Sequence, residues 1–520
     1  MIQLGKHGIA HEGGPQGGFA RGVSLAFVIV AFAIMLVPAV GMLWAPTEST
    51  TENRTLAAAP SITAEDGSFN VNILSDAGMY FEDHFAYRNA MVSANAFLRA
   101  LAGTSATDEV VVGTDGWLYY GGTLYDYLGQ NVLSDRALVN VAHNLALMQG
   151  YAQSRGAQFL FTVAPNKNSL YASHMPYYYL AYDGASNWER LKPYLTSYGV
   201  NYYDLFELFE GQDAELYYER DTHWNNTGAL LAANALLGAF SRGGLTVADY
   251  LWVDRDDYTG DVAQMLYPQN PGTEAERYVT SVNDGEGKAG TTWSYTQGAD
   301  VTDNSITTTG MGSGSLLMYR DSFGNALIPY LSTVFGQATY SKLIPYNALT
   351  IDEVGADCVI VERAERHLAY LAQAAPLMLS PSLTLAAGTP AADDARASET
   401  TLEVSTNGPY TVLEGALDAR LANVDARIYV ELEDAAGARM VYEAFDVSRG
   451  LEDESVDTEQ DAAAASNSEQ AATDYGYAAY IDSAAIDLAS VKARVFIVVD
   501  GVSYGMKTFS GLDSLLQSNN

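Results

Sequence analysis

Strands alternating with helical patterns between residues 134 and 375 predict an α/β body, a parallel sheet covered by helices on both faces. Two flanking features complete the class. An uncharged apolar run over 23–45 predicts a transmembrane helix near the N-terminus, and strand-like runs without long helices over 400–510 predict a C-terminal β-sandwich. A chain of 520 residues exceeds one ordinary core. The division expected is an N-terminal tail on the cytoplasmic side (1–22), an anchor (23–45), a linker (46–69), an α/β domain (70–380), a second linker (381–399) and a β-rich domain (400–520).

At about 1.5 Å per residue, the 23-residue apolar run reaches roughly 35 Å, enough for a ~30 Å hydrocarbon core. Pro38 within it is tolerable in a membrane helix. Lys6 and Arg21 against Glu12 precede the run, and the chain after it is acidic, which favours a single-pass protein with its bulk outside the cytoplasm. A cleaved signal peptide is the alternative, but its apolar region would be unusually long, with no clean small-x-small site before Pro46.

Residues 71–101 read as a helical pair or one long helix. In Val112-Gly113-Thr114-Asp115-Gly116-Trp117-Leu118, a Thr-Asp-Gly between apolar runs signals a hairpin. Helix is then expected over 136–155, strand over 158–163, helix over 188–198, strand over 200–204 and helix over 227–240. An irregular section spans 254–313. Strand 315–319 precedes helix 324–335, and strand 358–361 precedes helix 364–374. In the β-rich end, residues 451–474 carry eight acids and no base, the mark of a solvated loop.

The 27 Lys+Arg against 63 Asp+Glu give a net charge of −36, which argues against nucleic acid as a partner. Residues 391–520 hold eight bases against 24 acids, so the excess gathers at the β-rich end. The single cysteine, Cys358, excludes an intrachain disulfide and sits in the apolar run Cys358-Val359-Ile360-Val361, as a buried strand thiol would.

Two segments carry chemistry. In Arg220-Asp221-Thr222-His223-Trp224-Asn225, an acid and an imidazole two apart precede a helix, and a carboxylate can fix the tautomer of a general base. In Tyr319-Arg320-Asp321-Ser322-Phe323-Gly324-Asn325, a serine follows an apolar strand and opens a helix, where backbone N–H groups can meet an oxyanion. Each alone also reads as helix capping. Together they supply nucleophile, base and orienting acid. A metal site on Asp221 and His223 lacks a recognisable third ligand in sequence, so neither metal nor cofactor is expected. Lys167 is open to two readings, anion binding or pairing with an acid. The run Tyr177-Tyr178-Tyr179 with Tyr182 suits either sugar stacking or packing. His84, His143, Trp117 and Trp224 are expected to be structural.

Asp-Thr-His-Trp-Asn followed about a hundred residues later by Asp-Ser-Phe-Gly resembles the DHHW and alginate O-acetyltransferase (AlgJ/AlgX-type) group of SGNH hydrolase-like proteins. Tyr80-Phe81-Glu82-Asp83-His84-Phe85 with Arg88 resembles that group's entry helix. The 112–119 stretch, Val163-Ala164-Pro165-Asn166-Lys167 and Val361-Glu362-Arg363-Ala364 follow in the group's order, so the likeness covers roughly residues 70–375. The resemblance implies an SGNH-like fold and a triad of Ser322 as nucleophile, His223 as base and Asp221 as its partner. It implies an extracytoplasmic O-acetyltransferase acting on a cell-envelope or exported polysaccharide, with a membrane-bound O-acyltransferase handing over the acetyl group. An esterase of the same fold and a non-catalytic glycan-binding scaffold are the alternatives. Arg320 stands where the hydrolase pattern has Gly. Asn325 and Asn347 are the oxyanion candidates, and Lys167, Asn166, Arg320 and Tyr319 the substrate-binding candidates.

Overall fold

The computed structural model describes residues 16–47, 56–64, 67–244, 250–283, 289–290, 293–383, 396–449, 473–506 and 508–516. The chain forms two compact units, one of residues 1–106 with 264–271 and one of 107–263 with 272–520.

In the first unit, the helix Gln16–Gly41 contains the span Gly22–Gly41, the one among the described residues long and apolar enough to cross a membrane. The expected pair follows as helices Ile73–His84 and Arg88–Leu101. They break at Tyr87, whose φ of 64° lies in the left-handed region. The Ala86 N–H donates to the Pro38 carbonyl at 3.1 Å, which ties the break to the end of the first helix.

The second unit begins with strands β1 (Val110–Val112) and β2 (Leu118–Tyr120), paired antiparallel around Asp115 and Gly116, both at positive φ. That is the turn chemistry the Thr-Asp-Gly signal requires. The main sheet comes from β3 (Gln158–Ala164), β4 (Tyr202–Tyr203), β8 (Trp293–Gln297), β9 (Ser305–Gly310), β10 (Ser315–Tyr319), β11 (Gln337–Ser341) and β12 (Cys358–Ala364). Between β4 and β8 in the chain, β5 (Tyr250–Tyr258), β6 (Glu274–Asn283) and β7 (Ala289–Gly290) make a separate antiparallel sheet. The main order is β4-β3-β12-β10-β11-β9-β8; the first five strands pair parallel, β9 pairs antiparallel with β11, and β8 antiparallel with β9. This is the SGNH-like α/β fold.

The parallel strands read as continuous apolar runs because both of their faces are covered. Leu317, Tyr319, Val359 and Val361 join one core with helices Asp135–Ser154 and Asn187–Ser197, while Leu316, Met318, Cys358 and Ile360 join the core beneath helix Asn226–Ala239. The helix starts are written locally. Ser134 accepts from the Ala137 N–H, Ser186 forms a capping box with Glu189, and Asn225 accepts from the Gly228 N–H.

The section 254–313 is not irregular, since it supplies β6 to β9 and the second half of β5. Its strands lack apolar alternation because they pair through polar contacts. Arg277 Nε donates to Asp254 at 2.8 Å across the β5–β6 hairpin, and Thr308 on β9 shares a hydrogen bond with Ser332.

The β-rich end forms two packed sheets, one with the path Glu403–Asn407, Tyr410–Ala416, Thr473–Asp482, Phe445–Arg449, and a larger one centred on Arg427–Glu433 and Lys492–Val499. It does not stand apart from the body. Tyr410, Val412, Phe445, Ala478 and Tyr480 are buried in the same apolar cluster as Leu138, Val141 and Leu145 of the Asp135–Ser154 helix. His143, expected to be structural, lies in this seam. The acidic segment 451–474 falls outside the described residues except for Thr473 and Asp474, as does 384–395 of the second linker.

Candidate active site

Residues 217–224 form a tight loop closed by a β-bridge between Tyr217 and Trp224. Its shape is imposed from inside by Lys167, which begins the short helix after β3. The ammonium donates to the carbonyls of Tyr218 at 3.2 Å, Glu219 at 3.0 Å and Asp221 at 2.6 Å. From outside, Glu274 accepts the Glu219 and Arg220 N–H groups at 2.9 and 3.3 Å. Gly260 must be glycine, because a Cβ there would stand 2.1 Å from the Arg220 carbonyl oxygen.

At the tip of this loop, Asp221 Oδ1 accepts hydrogen bonds from both the N–H and Nδ1–H of His223, each at 2.8 Å. Its Oδ2 accepts from the Tyr258 hydroxyl at 2.9 Å and the Asp261 N–H at 2.8 Å. Burial works to raise the Asp221 pKa, but these donors and the imidazole charge hold it well below the ordinary carboxylate value. Burial works to lower His223, yet the hydrogen bond and charge of Asp221 raise it, with Asp261 adding to the rise and Arg366 opposing it. With Nδ1 as donor, Nε2 is the free base, and it lies 2.8 Å from Ser322 Oγ.

Ser322 stands one turn past the carboxyl end of β10, the central strand of the sheet, where ligands gather in open α/β folds. Asp321 fixes the turn. Its Oδ1 accepts the Phe323 N–H at 2.9 Å, and its Oδ2 accepts the Ala364 N–H at 2.6 Å and contacts His367 Nδ1 at 3.2 Å. Gly324 lets the chain pass, since a Cβ there would lie 2.6 Å from the Arg320 Cβ. The Phe323 ring packs against His223 at 4.8 Å and Trp224 at 5.0 Å between centroids, so one aromatic sets the spacing of base and nucleophile.

The structure thus brings Ser322, His223 and Asp221 into one hydrogen-bonded chain. The residues proposed to meet substrate have other tasks. Lys167 is 3% exposed and spends its three donors on loop carbonyls; burial pushes it down to about 8. Asn166 is fully buried, its N–H bonded to Glu365 and its amide to Asp126, both at 2.9 Å. Arg320 is 0% exposed and bridges the carbonyls of Val301, Asp303 and Asp321 to the side chain of Asn325. That bridge explains a long basic residue where the hydrolase pattern has Gly. Tyr319 is buried, with its hydroxyl on the Asn347 carbonyl at 2.7 Å. In the oxyanion candidates the acceptor ends are engaged: Asn325 Oδ1 accepts from Arg320, and Asn347 Oδ1 caps the Leu349 N–H at 3.1 Å, so each bond orients an amide whose donor is Nδ2. Tyr177 faces outward at 91% exposure, so this part of the tyrosine run is not packing.

Sequence reasoning passed over Tyr258, Asp261 and Asp321. Asp261 supplies the third ligand atom that the Asp221–His223 pair lacked, the three lying within 4.8 Å of one another. The donor set is already committed, however. His223 Nδ1 donates to Asp221, and Asp261 Oδ1 accepts the Thr222 and Val262 N–H groups, each at 2.7 Å. The available signal was Tyr258-Thr259-Gly260-Asp261, an obligatory glycine beside an acid at a strand end.

Lys167→Met tests the structural assignment. Removing the ammonium strands three buried carbonyls, so a loss of roughly 3 kcal/mol or more in unfolding free energy is expected, with activity falling in parallel. A substrate-binding lysine would instead raise KM at unchanged melting temperature.

A strand-to-turn serine, an Asp-x-His loop and a mixed α/β sheet are the features to set beside known proteins. Residues 110–290 match the family described as SGNH hydrolase-like domain, acetyltransferase AlgX, a range that includes Asp221 and His223 and ends before Ser322. The probable alginate O-acetylase AlgJ of Pseudomonas syringae pv. tomato is 25% identical over 187 residues, or 35% of this chain and 46% of that relative, so the chain spans under half of its length. Among solved structures, Bacillus cereus PatB1 with a sulfonyl adduct aligns with a TM-score of 0.40 at 15% identity, covering 50% of this chain and 97% of the other. The O-acetyltransferase domain of Pseudomonas putida AlgJ aligns with a TM-score of 0.34 at 18% identity, covering 50% and 92%.

Proposed function

We propose that this protein is an extracytoplasmic O-acetyltransferase, held to the membrane by the Gln16–Gly41 helix, that acetylates hydroxyls of a cell-envelope or exported polysaccharide. The observation that carries the proposal is the 2.8 Å approach of His223 Nε2 to Ser322 Oγ with Nδ1 held by Asp221. In the first half-reaction Ser322 Oγ attacks the acetyl carbonyl carbon of the donor while its proton passes to Nε2. The C–O bond of the donor breaks, and the leaving group departs with that proton, giving acetyl-Ser322. In the second, a sugar hydroxyl gives its proton to Nε2 and attacks the same carbon, and Ser322 Oγ leaves and recovers the proton. The backbone N–H of Ser322, at the turn after β10, is the donor assigned to the oxyanion, with Asn325 Nδ2 as the side-chain candidate beside it. Because the acetyl group originates in the cytoplasm, a membrane-bound O-acyltransferase is the partner assigned to deliver it.

The test incubates the protein with an activated acetyl ester and either water alone or a panel of neutral and uronate oligosaccharides. Acetylated oligosaccharide, identified by product mass, is the expected result. Free acetate alone at saturating acceptor assigns the same site to an esterase, and no turnover in any arm returns the fold to a glycan-binding scaffold. Chelator treatment is expected to leave the rate unchanged.

A further inference from the structure

His223 is flanked by two carboxylates, not one. Asp221 Oδ1 accepts the Nδ1–H at 2.8 Å, and Asp261 Oδ2 stands 3.6 Å from the same nitrogen. Asp261 is held there by three backbone bonds. Its Oδ1 accepts from the N–H groups of Thr222 and Val262 at 2.7 Å each, and its own N–H donates to Asp221 Oδ2 at 2.8 Å. The second oxygen, Oδ2, is therefore fixed toward the imidazole, and the side chain keeps 37% exposure, so protons reach it from solvent.

We propose that Asp261 is a second acidic partner of His223, a positioning residue that stabilises the imidazolium formed in each half-reaction. This rests on the catalytic reading of the triad. When Nε2 takes the proton of Ser322 or of the acceptor hydroxyl, positive charge spreads over the ring to Nδ1, between both carboxylates. Asp221 bonds the Nδ1–H and sets the tautomer. Asp261 makes no hydrogen bond to the ring and acts through its charge alone.

The other groups around this pair are few. Arg366, in the turn after β12, opposes the imidazolium, and Tyr258 and Lys167 face Asp221 from the strand β5 and from the helix after β3. Glu274 and Glu219 compensate Lys167. None lies where a carboxylate at 261 does. Burial and the neighbouring Asp221 push Asp261 up to about 6, with the imidazole working against them. Asp261 therefore gains a proton in the range where a histidine base also titrates, and the acidic limb of the rate profile is expected to carry a second, small inflection from it.

Asp261→Asn retains the Oδ1 acceptor and the backbone donor while removing the charge. Its kcat/KM plateau is expected to fall only about threefold to tenfold, far short of an Asp221→Asn loss. The acidic limb is expected to move to lower pH, because loss of a negative charge lowers the pH at which His223 protonates, and the small inflection to disappear. Asp261→Glu is expected to restore both. NMR titration of the His223 ring, with and without the Asp261→Asn change, reads the same coupling in the resting protein. A lower midpoint in the variant is expected; an unchanged midpoint and limb overturn the proposal. The NMR arm judges Asp261 even where turnover is absent, an outcome that sinks only the catalytic reading.

Discussion

Replacing Ser322 with alanine is expected to lower acetyl turnover by about 10⁴-fold or more, with the melting temperature unchanged. The size follows from the chemistry. Without Oγ no acetyl-enzyme forms, and what remains is whatever the oxyanion donors and binding provide. The neutrality toward stability follows from the structure, because Ser322 Oγ caps no helix and its hydrogen bond is to His223, part-way to solvent. Intact-protein mass after brief exposure to an acetyl ester is expected to show one acetyl increment on the wild type and none on the variant. His223→Ala is expected to match Ser322→Ala, and the double variant to be no worse than either, because the two residues act as a unit. Additive losses, or persistent acetylation of Ser322→Ala at a turnover-competent rate, would mean that the nucleophile lies elsewhere.

How much of this was legible beforehand depended on the kind of physics involved. The parallel strands were plain because burial on both faces forces apolar runs such as Leu316-Leu317-Met318 and Val359-Ile360-Val361. Ser322, His223 and Asp221 were readable because each sits beside its own local signal, a strand-to-helix turn or an Asp-x-His loop. The role of Lys167 was not readable. Its partners are three backbone carbonyls some fifty residues away, and carbonyls leave no mark in a sequence. Asp261 was hidden for a related reason. It arrives through β5, a strand built of charge pairs where no alternation announces a strand. The β-rich end was recognisable as β, but its fusion to the body was not. The Asp135–Ser154 helix buries nearly its whole circumference, and no pattern in the helix says which side the sandwich covers.

That seam carries the second large expectation. Asp446 is almost fully buried and accepts from Arg136 at 2.5 Å and from His143 Nδ1 at 2.7 Å, while His143 Nε2 lies 3.0 Å from Glu443. Asn144 pairs with the Asp446 backbone in both directions, at 2.7 and 3.0 Å. Asp446→Asn leaves a guanidinium and an imidazolium buried beside each other, so a loss of about 3–5 kcal/mol in unfolding free energy is expected. Burial alone would lower the His143 pKa, but Asp446 and Glu443 override it and push it up to about 9. The folded value thus exceeds the ordinary 6.5, and the proton is bound more tightly in the folded state. This stabilisation is fully present below about pH 6.5 and declines as pH rises toward 9, by roughly 3 kcal/mol in all. Urea titrations at pH 6 and pH 9 measure the difference directly, and His143→Gln is expected to flatten it. Because Tyr410, Phe445 and Tyr480 share one core with Leu138 and Leu145, the sandwich and the α/β body are expected to unfold in a single transition. A separate early melt of the β-rich end, with the body's transition unmoved by Asp446→Asn, would make the sandwich an independent module and defeat this account of the seam.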